Sequence, residues 1–157
     1  MYIPCSELRR TPLERFDQDL AWHRDDQWFF AAGACRILAY EFIEVHRGRF
    51  TVVGLWPRTA ADPSHVFVCD GSWAFDHSGW TPVAELLEVS RAAEPDADYY
   101  QRPIAMDLDE FCARHWHRSP AEFAQDPPAT RPRLHRAIPA TKDTVMEHTA
   151  RCRWQTS

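Results

Sequence analysis

The dipeptide Asp70-Gly71 separates two short runs, HVFVC over His65 to Cys69 and SWAFD over Ser72 to Asp76, in which aromatic and β-branched residues dominate. A pair of this kind between such runs is the strongest short-range hairpin signal, because Gly accepts positive φ without penalty and Asp tolerates it. It commits this part of the chain to an antiparallel sheet. With Asp70 and Gly71 as a two-residue loop, Cys69 faces Ser72, Phe67 faces Ala74 and His65 faces Asp76. His65 and Asp76 then share a face, and Val66, Val68, Trp73 and Phe75 line the other. On this reading one face is core and the other presents an imidazole beside a carboxylate that can fix its tautomer and orientation.

The flanking segments have a different period. Thr11 before Pro12 and Glu14 is helix-start chemistry, and Leu13, Phe16, Leu20 and Trp22 fall near one face, which predicts an amphipathic helix over 11–24. After the polar break Asp25-Asp26-Gln27 comes the apolar run Trp28 to Cys35, and Arg36 to Val45 follows as a largely buried helix entered through Gly33, with Cys35, Leu38, Ala39 and Phe42 at helical spacing and a stop at His46-Arg47-Gly48. Phe50 to Trp56 reads as a strand. A helix is predicted from Thr81 to Arg91, a short β-like stretch over 99–105, a helix over 108–117, and another helix start at Ser119-Pro120. From Pro127 onward, four prolines interrupt a basic, sparsely apolar stretch, which predicts an extended course. The expected organisation is one α+β domain over 1–126, its N-terminal helices packed on a small antiparallel sheet, and a proline-rich extension over 127–157 lying on the surface or loosely ordered.

Composition narrows the function classes. The chain has 157 residues, 45% of them hydrophobic, enough for one ordinary core. Its formal net charge of -5 offers no basic field for a phosphate backbone, so nucleic acid is not an expected partner. No apolar stretch approaches the roughly 20 residues of a membrane span, and Met1-Tyr-Ile-Pro-Cys5 lacks the pattern of a secretory signal, so a cytoplasmic location is expected.

Five cysteines, Cys5, Cys35, Cys69, Cys112 and Cys152, are an odd number without a Cys-x-x-Cys pair. That argues against a disulfide framework and a four-cysteine zinc site, and turns attention to a single reactive thiol. Cys35 ranks first, because a helix start favours the thiolate. Cys69 shares the His65 face but lacks the helix dipole, which makes it the rival. Cys112 and His115 are three residues apart and His117 follows, yet no second ligand pair stands at zinc spacing, so neither a metal nor another cofactor is expected.

Cys35 in AAGACRILAYEF, His65 in SHVFVCDG and Asp76 in WAFDHSGW stand in the order Cys, His, Asp. That order, with the thiol at a helix start and the other two on adjacent strands, resembles the papain-like cysteine hydrolases in the broad sense, including their transglutaminase-like, arylamine-acetyltransferase-like and peptidoglycan-amidase-like members. The resemblance covers about Trp28 to Trp80. It implies a papain-like core and a peptidase, amidase, deamidase or transglutaminase type of reaction on a peptide or protein amide. It also implies Cys35 as nucleophile, His65 as general base and Asp76 as the group that orients His65. Gln27 is the one amide side chain shortly upstream of the thiol and is the oxyanion-hole candidate. The competing expectation is a non-catalytic binding, adaptor or immunity-type domain on the same fold.

Overall fold

The computed structural model describes residues 1–17, 20–21, 23–46, 48–115, 117 and 130–138. At its centre is a five-stranded, wholly antiparallel sheet made of β1 (Thr51–Trp56), β2 (His65–Cys69), β3 (Trp73–Asp76), β4 (Gly79–Pro82) and β5 (Tyr100–Pro103), in the order β4-β3-β2-β1-β5. The fold is α+β, as expected.

The hairpin forms in a different register from the predicted one. Cys69 faces Ala74 and Val68 faces Phe75, so the turn spans four residues, Asp70 to Trp73, in place of two. The Asp70 carboxylate organises it by accepting from the backbone N–H of Ser72 at 3.0 Å and of Trp73 at 2.9 Å, and Asp70 N–H closes the turn on Trp73 O at 3.1 Å. These Asx contacts outcompete the tight turn that Asp-Gly suggests. His65 and Asp76 are therefore diagonal neighbours and not directly opposed. A slip of one residue would have put them on opposite faces, whereas a slip of two keeps them together.

The expectation of one core face and one open face also changes. All five residues of β2 are buried. Val66, Val68 and Phe75 pack with the helix that carries Cys35, and Phe67, Cys69 and Ala74 pack with Val83, Leu86 and Tyr2. A sheet covered on both faces explains why HVFVC is apolar almost throughout.

Among the described residues the helices are α1 (Pro12–Phe16), α2 (Asp26–Ala31), α3 (Cys35–Val45), α4 (Val83–Ala93), α5 (Leu108–Arg114) and α6 (Thr130–Ala137), with 3-10 turns at Cys5–Leu8 and Pro95–Ala97. Thr11 and Glu14 form a reciprocal capping box, as the Thr-Pro start suggests. The helix stops at Asp17, whose backbone is extended, and does not continue to Arg24. Leu13, Phe16 and Leu20 are exposed, so the predicted apolar face is not buried.

The helix expected after Gly33 forms, and the apolar run before it carries a helix of its own. Asp25 caps α2 by accepting from Trp28 N–H at 2.9 Å, which makes the polar break a helix start. Gly33 then adopts φ +136°, a conformation costly for any residue with a Cβ, and the chain turns there into α3. Its buried side chains Ile37, Leu38, Ala39 and Phe42 face the sheet, with the Phe42 ring 4.6 Å from Phe75 and 5.7 Å from Trp80. Each large apolar side chain buried this way contributes roughly 1.5–3 kcal/mol, which fixes α3 and the thiol at its head against β2.

Two C-terminal features depart from the prediction. Thr81 lies in β4 and does not cap a helix, so α4 begins at Val83. The expected extended tail is helical over Thr130–Ala137, where Leu134 and Ile138 enter the same buried cluster as Phe29, Phe30 and Leu38. Arg133 sits 4.6 Å over the Phe29 ring and Arg136 holds Asp26 at 2.8 and 3.0 Å. The predicted start at Ser119-Pro120 and the chain beyond Ile138 lie outside the described residues. Among those residues, no helix is long and apolar enough to cross a membrane.

Candidate active site

Cys35 is the first residue of α3, and the residue capping that helix, Ala34, offers no side-chain acceptor. The first-turn N–H groups have no partner within the helix, and the dipole they sum to favours negative charge at the sulfur. Four cysteines fall among the described residues, all free. Cys5, Cys69 and Cys112 are buried, and Cys35 alone of these is partly exposed, lining a cavity of about 230 Å³.

His65 opens β2 and Asp76 ends β3. The imidazole Nε2 donates to Asp76 Oδ2 at 2.8 Å, with both side chains essentially inaccessible to solvent. The carboxylate is itself held in place. Its Oδ1 accepts from Ser78 N–H at 2.8 Å, and His77 Nδ1 lies 3.4 Å from Oδ2. With Nε2 committed to Asp76, the buried Nδ1 makes no hydrogen bond of its own, and the nearby Cys35 thiol interacts electrostatically with the ring. The backbone N–H of Val66, next to His65, is among the groups that lower the Cys35 thiol. The hairpin thus supplies the imidazole and the carboxylate.

Electrostatics drive this cluster toward an ion pair. Burial pushes the Cys35 thiol up, but the adjacent His65 imidazole, the charge of Arg36 and the Val66 N–H outweigh it, and the net shift is downward. Burial likewise pulls His65 down, yet neighbouring Cys5, the hydrogen bond to Asp76 and the adjacent Cys35 thiol carry it well above its ordinary value. Burial also pushes the Cys5 thiol up. Asp76 is lowered despite burial by the charges of His77 and His65 and by its hydrogen bonds. A thiolate, an imidazolium and a carboxylate in series are the groups needed for nucleophilic attack followed by proton return.

The other residues singled out in the sequence lie elsewhere. Cys69 is at the turn end of β2, where its sulfur accepts from Gly71 N–H at 3.0 Å and burial pushes its thiol up. Gln27 lines a separate cavity of about 170 Å³ with Asp76 and His77, so its amide is not brought into the cavity that opens on the sulfur. Cys112 is buried on α5, and His115 Nδ1 donates to Asp62 Oδ1 at 2.6 Å. His117 reaches the Cys35 cavity, where burial and then the charge of Arg36 push its imidazole down to about 4.

The ligand atoms that converge among the described residues are those of His65, Asp76 and His77, within 4.8 Å of one another. These residues have the donor types of a metal centre. The Asp76 oxygens, however, already take hydrogen bonds from His65 and Ser78, so a cation would have to compete with the bond that orients the imidazole.

Sequence reasoning missed Cys5, the Val66 N–H and the arginines of the cavity wall. Arg9 and Arg10 are adjacent and Arg15 follows closely, but no local pattern says that this segment folds against residue 35. Compared with protein-family models, with curated proteins and with solved structures, the chain has no match.

Proposed function

We propose that this chain is a thiol-dependent hydrolase or acyl transferase acting on amides, with a papain-like arrangement of Cys35, His65 and Asp76. The observation that carries this reading is the partly exposed thiol at the head of α3, lowered in pKa and interacting with an imidazole whose far nitrogen is fixed by a buried carboxylate. Structural cysteines are inert because burial keeps them protonated, which is the state of Cys5 and Cys69 here.

In the proposed reaction the Cys35 thiolate adds to the amide carbon and forms a C–S bond while the carbonyl electrons move to oxygen. The first-turn N–H groups of α3 lie beside the sulfur and are the donors available to that oxyanion. The C–N bond then breaks, and the departing amine takes the proton from the His65 imidazolium. Water or an amine attacks the thioester, giving its proton to His65 as the thiolate leaves. Asp76 stays ionised throughout and holds the ring in the orientation that serves both transfers.

The test is alkylation by iodoacetamide followed by intact mass, measured from acid to mildly alkaline pH. Cys35 should be modified at a rate already near its plateau below the ordinary thiol pKa of about 8.5, and Cys35→Ala should lose that modification and keep its fold. Labelling that persists in Cys35→Ala and vanishes in Cys69→Ala, or a Cys35 profile that rises only above about 8.5, sinks the reading.

A further inference from the structure

The cavity that opens on Cys35 has an unusual charge pattern. Its wall includes Arg9, Arg10, Arg15 and Arg36, and no aspartate or glutamate among the described residues that line it. Four of the chain's 18 Lys and Arg residues therefore gather at one small opening, in a protein whose net charge is -5. The Glu94 carboxylate that pairs with Arg9 is not part of that lining. The three N-terminal arginines come from one segment around α1, whereas Arg36 follows the nucleophile in the chain and is buried. The guanidinium of Arg36 donates to the carbonyl of Gly33, so its charge is fixed beside the sulfur. The low-lying imidazole of His117 is partly a consequence of the same positive potential.

On the reading of Cys35 as the nucleophile, we propose that the amide substrate carries a carboxylate, which the arginines of this cavity bind while the scissile carbonyl meets the sulfur. Guanidinium groups grip carboxylates through charge-assisted, often paired, hydrogen bonds, and a cleft lined with one sign of charge concentrates ligands of the other. A volume of about 230 Å³ is below the roughly 300–1,000 Å³ of clefts that enclose drug-sized molecules. The cavity therefore takes an end group, such as an acidic side chain or a terminal carboxylate, and not a length of neutral peptide.

Two alkylating agents that differ in charge separate this inference from the reading beneath it. Iodoacetamide reports the nucleophile, and the ratio of iodoacetate to iodoacetamide rates at Cys35 reports the cavity. That ratio should exceed the ratio for a small free thiol about tenfold at low salt and fall as salt screens the arginines. The His65 imidazolium attracts iodoacetate too, so the decisive comparison is Arg10→Gln and Arg15→Gln. Each should lower the ratio at least threefold while leaving the iodoacetamide rate within a factor of two. On the unsubstituted chain, glutarate should slow iodoacetamide alkylation where glutaramide does not. A ratio that equals the free-thiol value, or one that neither variant shifts together with equal effects of glutarate and glutaramide, overturns the carboxylate proposal and leaves the nucleophile standing. Failure of iodoacetamide to modify Cys35 at all overturns the underlying reading instead.

Discussion

Among the described residues, two histidine–carboxylate pairs are of nearly equal length. His65 and Asp76 meet at 2.8 Å and His115 and Asp62 at 2.6 Å, but the first pair is 0% and 1% exposed and the second 6% and 60%. Distance does not distinguish them. Asp62 is bathed in solvent, which screens its charge, and the His115 ring is held mainly by packing on Phe111 and Trp56. Asp76 is shielded from bulk solvent, so its attraction falls on His65 and the other groups around it, and His65 in turn has a thiol nearby. The difference shows that a short contact acquires chemical consequence from desolvation and from what the far nitrogen touches.

The comparison can be broken most severely at His65. Replacing it by Ala removes both the proton acceptor and the cation that stabilises the thiolate, and should slow Cys35 alkylation near neutral pH by on the order of 10²–10⁴ while the alkylation profile moves up toward an ordinary thiol. An unchanged profile would make the pair at His65 no different in kind from the pair at His115.

A smaller effect is expected from Asp76→Asn, which keeps shape but removes the charge. Loss of one partner from a buried pair costs on the order of 3–5 kcal/mol, measurable by urea unfolding at neutral pH. The pH dependence sharpens this. Asp76 is lowered in the folded protein, so its stabilisation is complete above its ordinary value near 3.9 and is lost as pH falls through the lower folded value. The unsubstituted chain should lose stability over that acid window, and Asp76→Asn should lose less there. Equal acid dependence in both would mean that another carboxylate controls it.

The smallest effect belongs to Asp62→Asn. An exposed partner contributes about 0–1 kcal/mol, so unfolding should shift by no more than that and Cys35 alkylation should be unaffected. A loss comparable to that of Asp76→Asn would erase the contrast between the two pairs.

Much of the proposed site was legible before the structure because it depends on short-range rules. The alternation of a strand placed His65 and Asp76 on one face, and this survived a two-residue change in register because side-chain parity is unaffected by an even shift. Helix-start logic singled out Cys35, and Gly33 does turn the chain into the helix that Cys35 opens, although the short helix ahead of it was not expected. What was not legible depends on distant partners. Nothing local says that the His65 face of the hairpin would be covered by Tyr2, Val83 and Leu86, or that arginines near residue 10 would line a cavity with residue 35. The exposure of Leu13, Phe16 and Leu20 is the converse case, since apolar spacing alone does not supply a surface to bury against. In the proline-rich stretch, composition argued for an extended chain, and the apolar contacts of Leu134 and Ile138 with the core outweighed it.

Those last two contacts set an order on how the molecule comes together during synthesis. Chains emerge N-terminus first, and a hairpin with its covering helices can pair as soon as its residues are free. The cluster beneath α2 and α3 is different, because it closes only with side chains about 90 positions after Val45, the end of α3. Until residue 138 is out, Phe29, Phe30 and Leu38 lack part of their cover, so the helix that carries the thiol is the last part of the core to be completed.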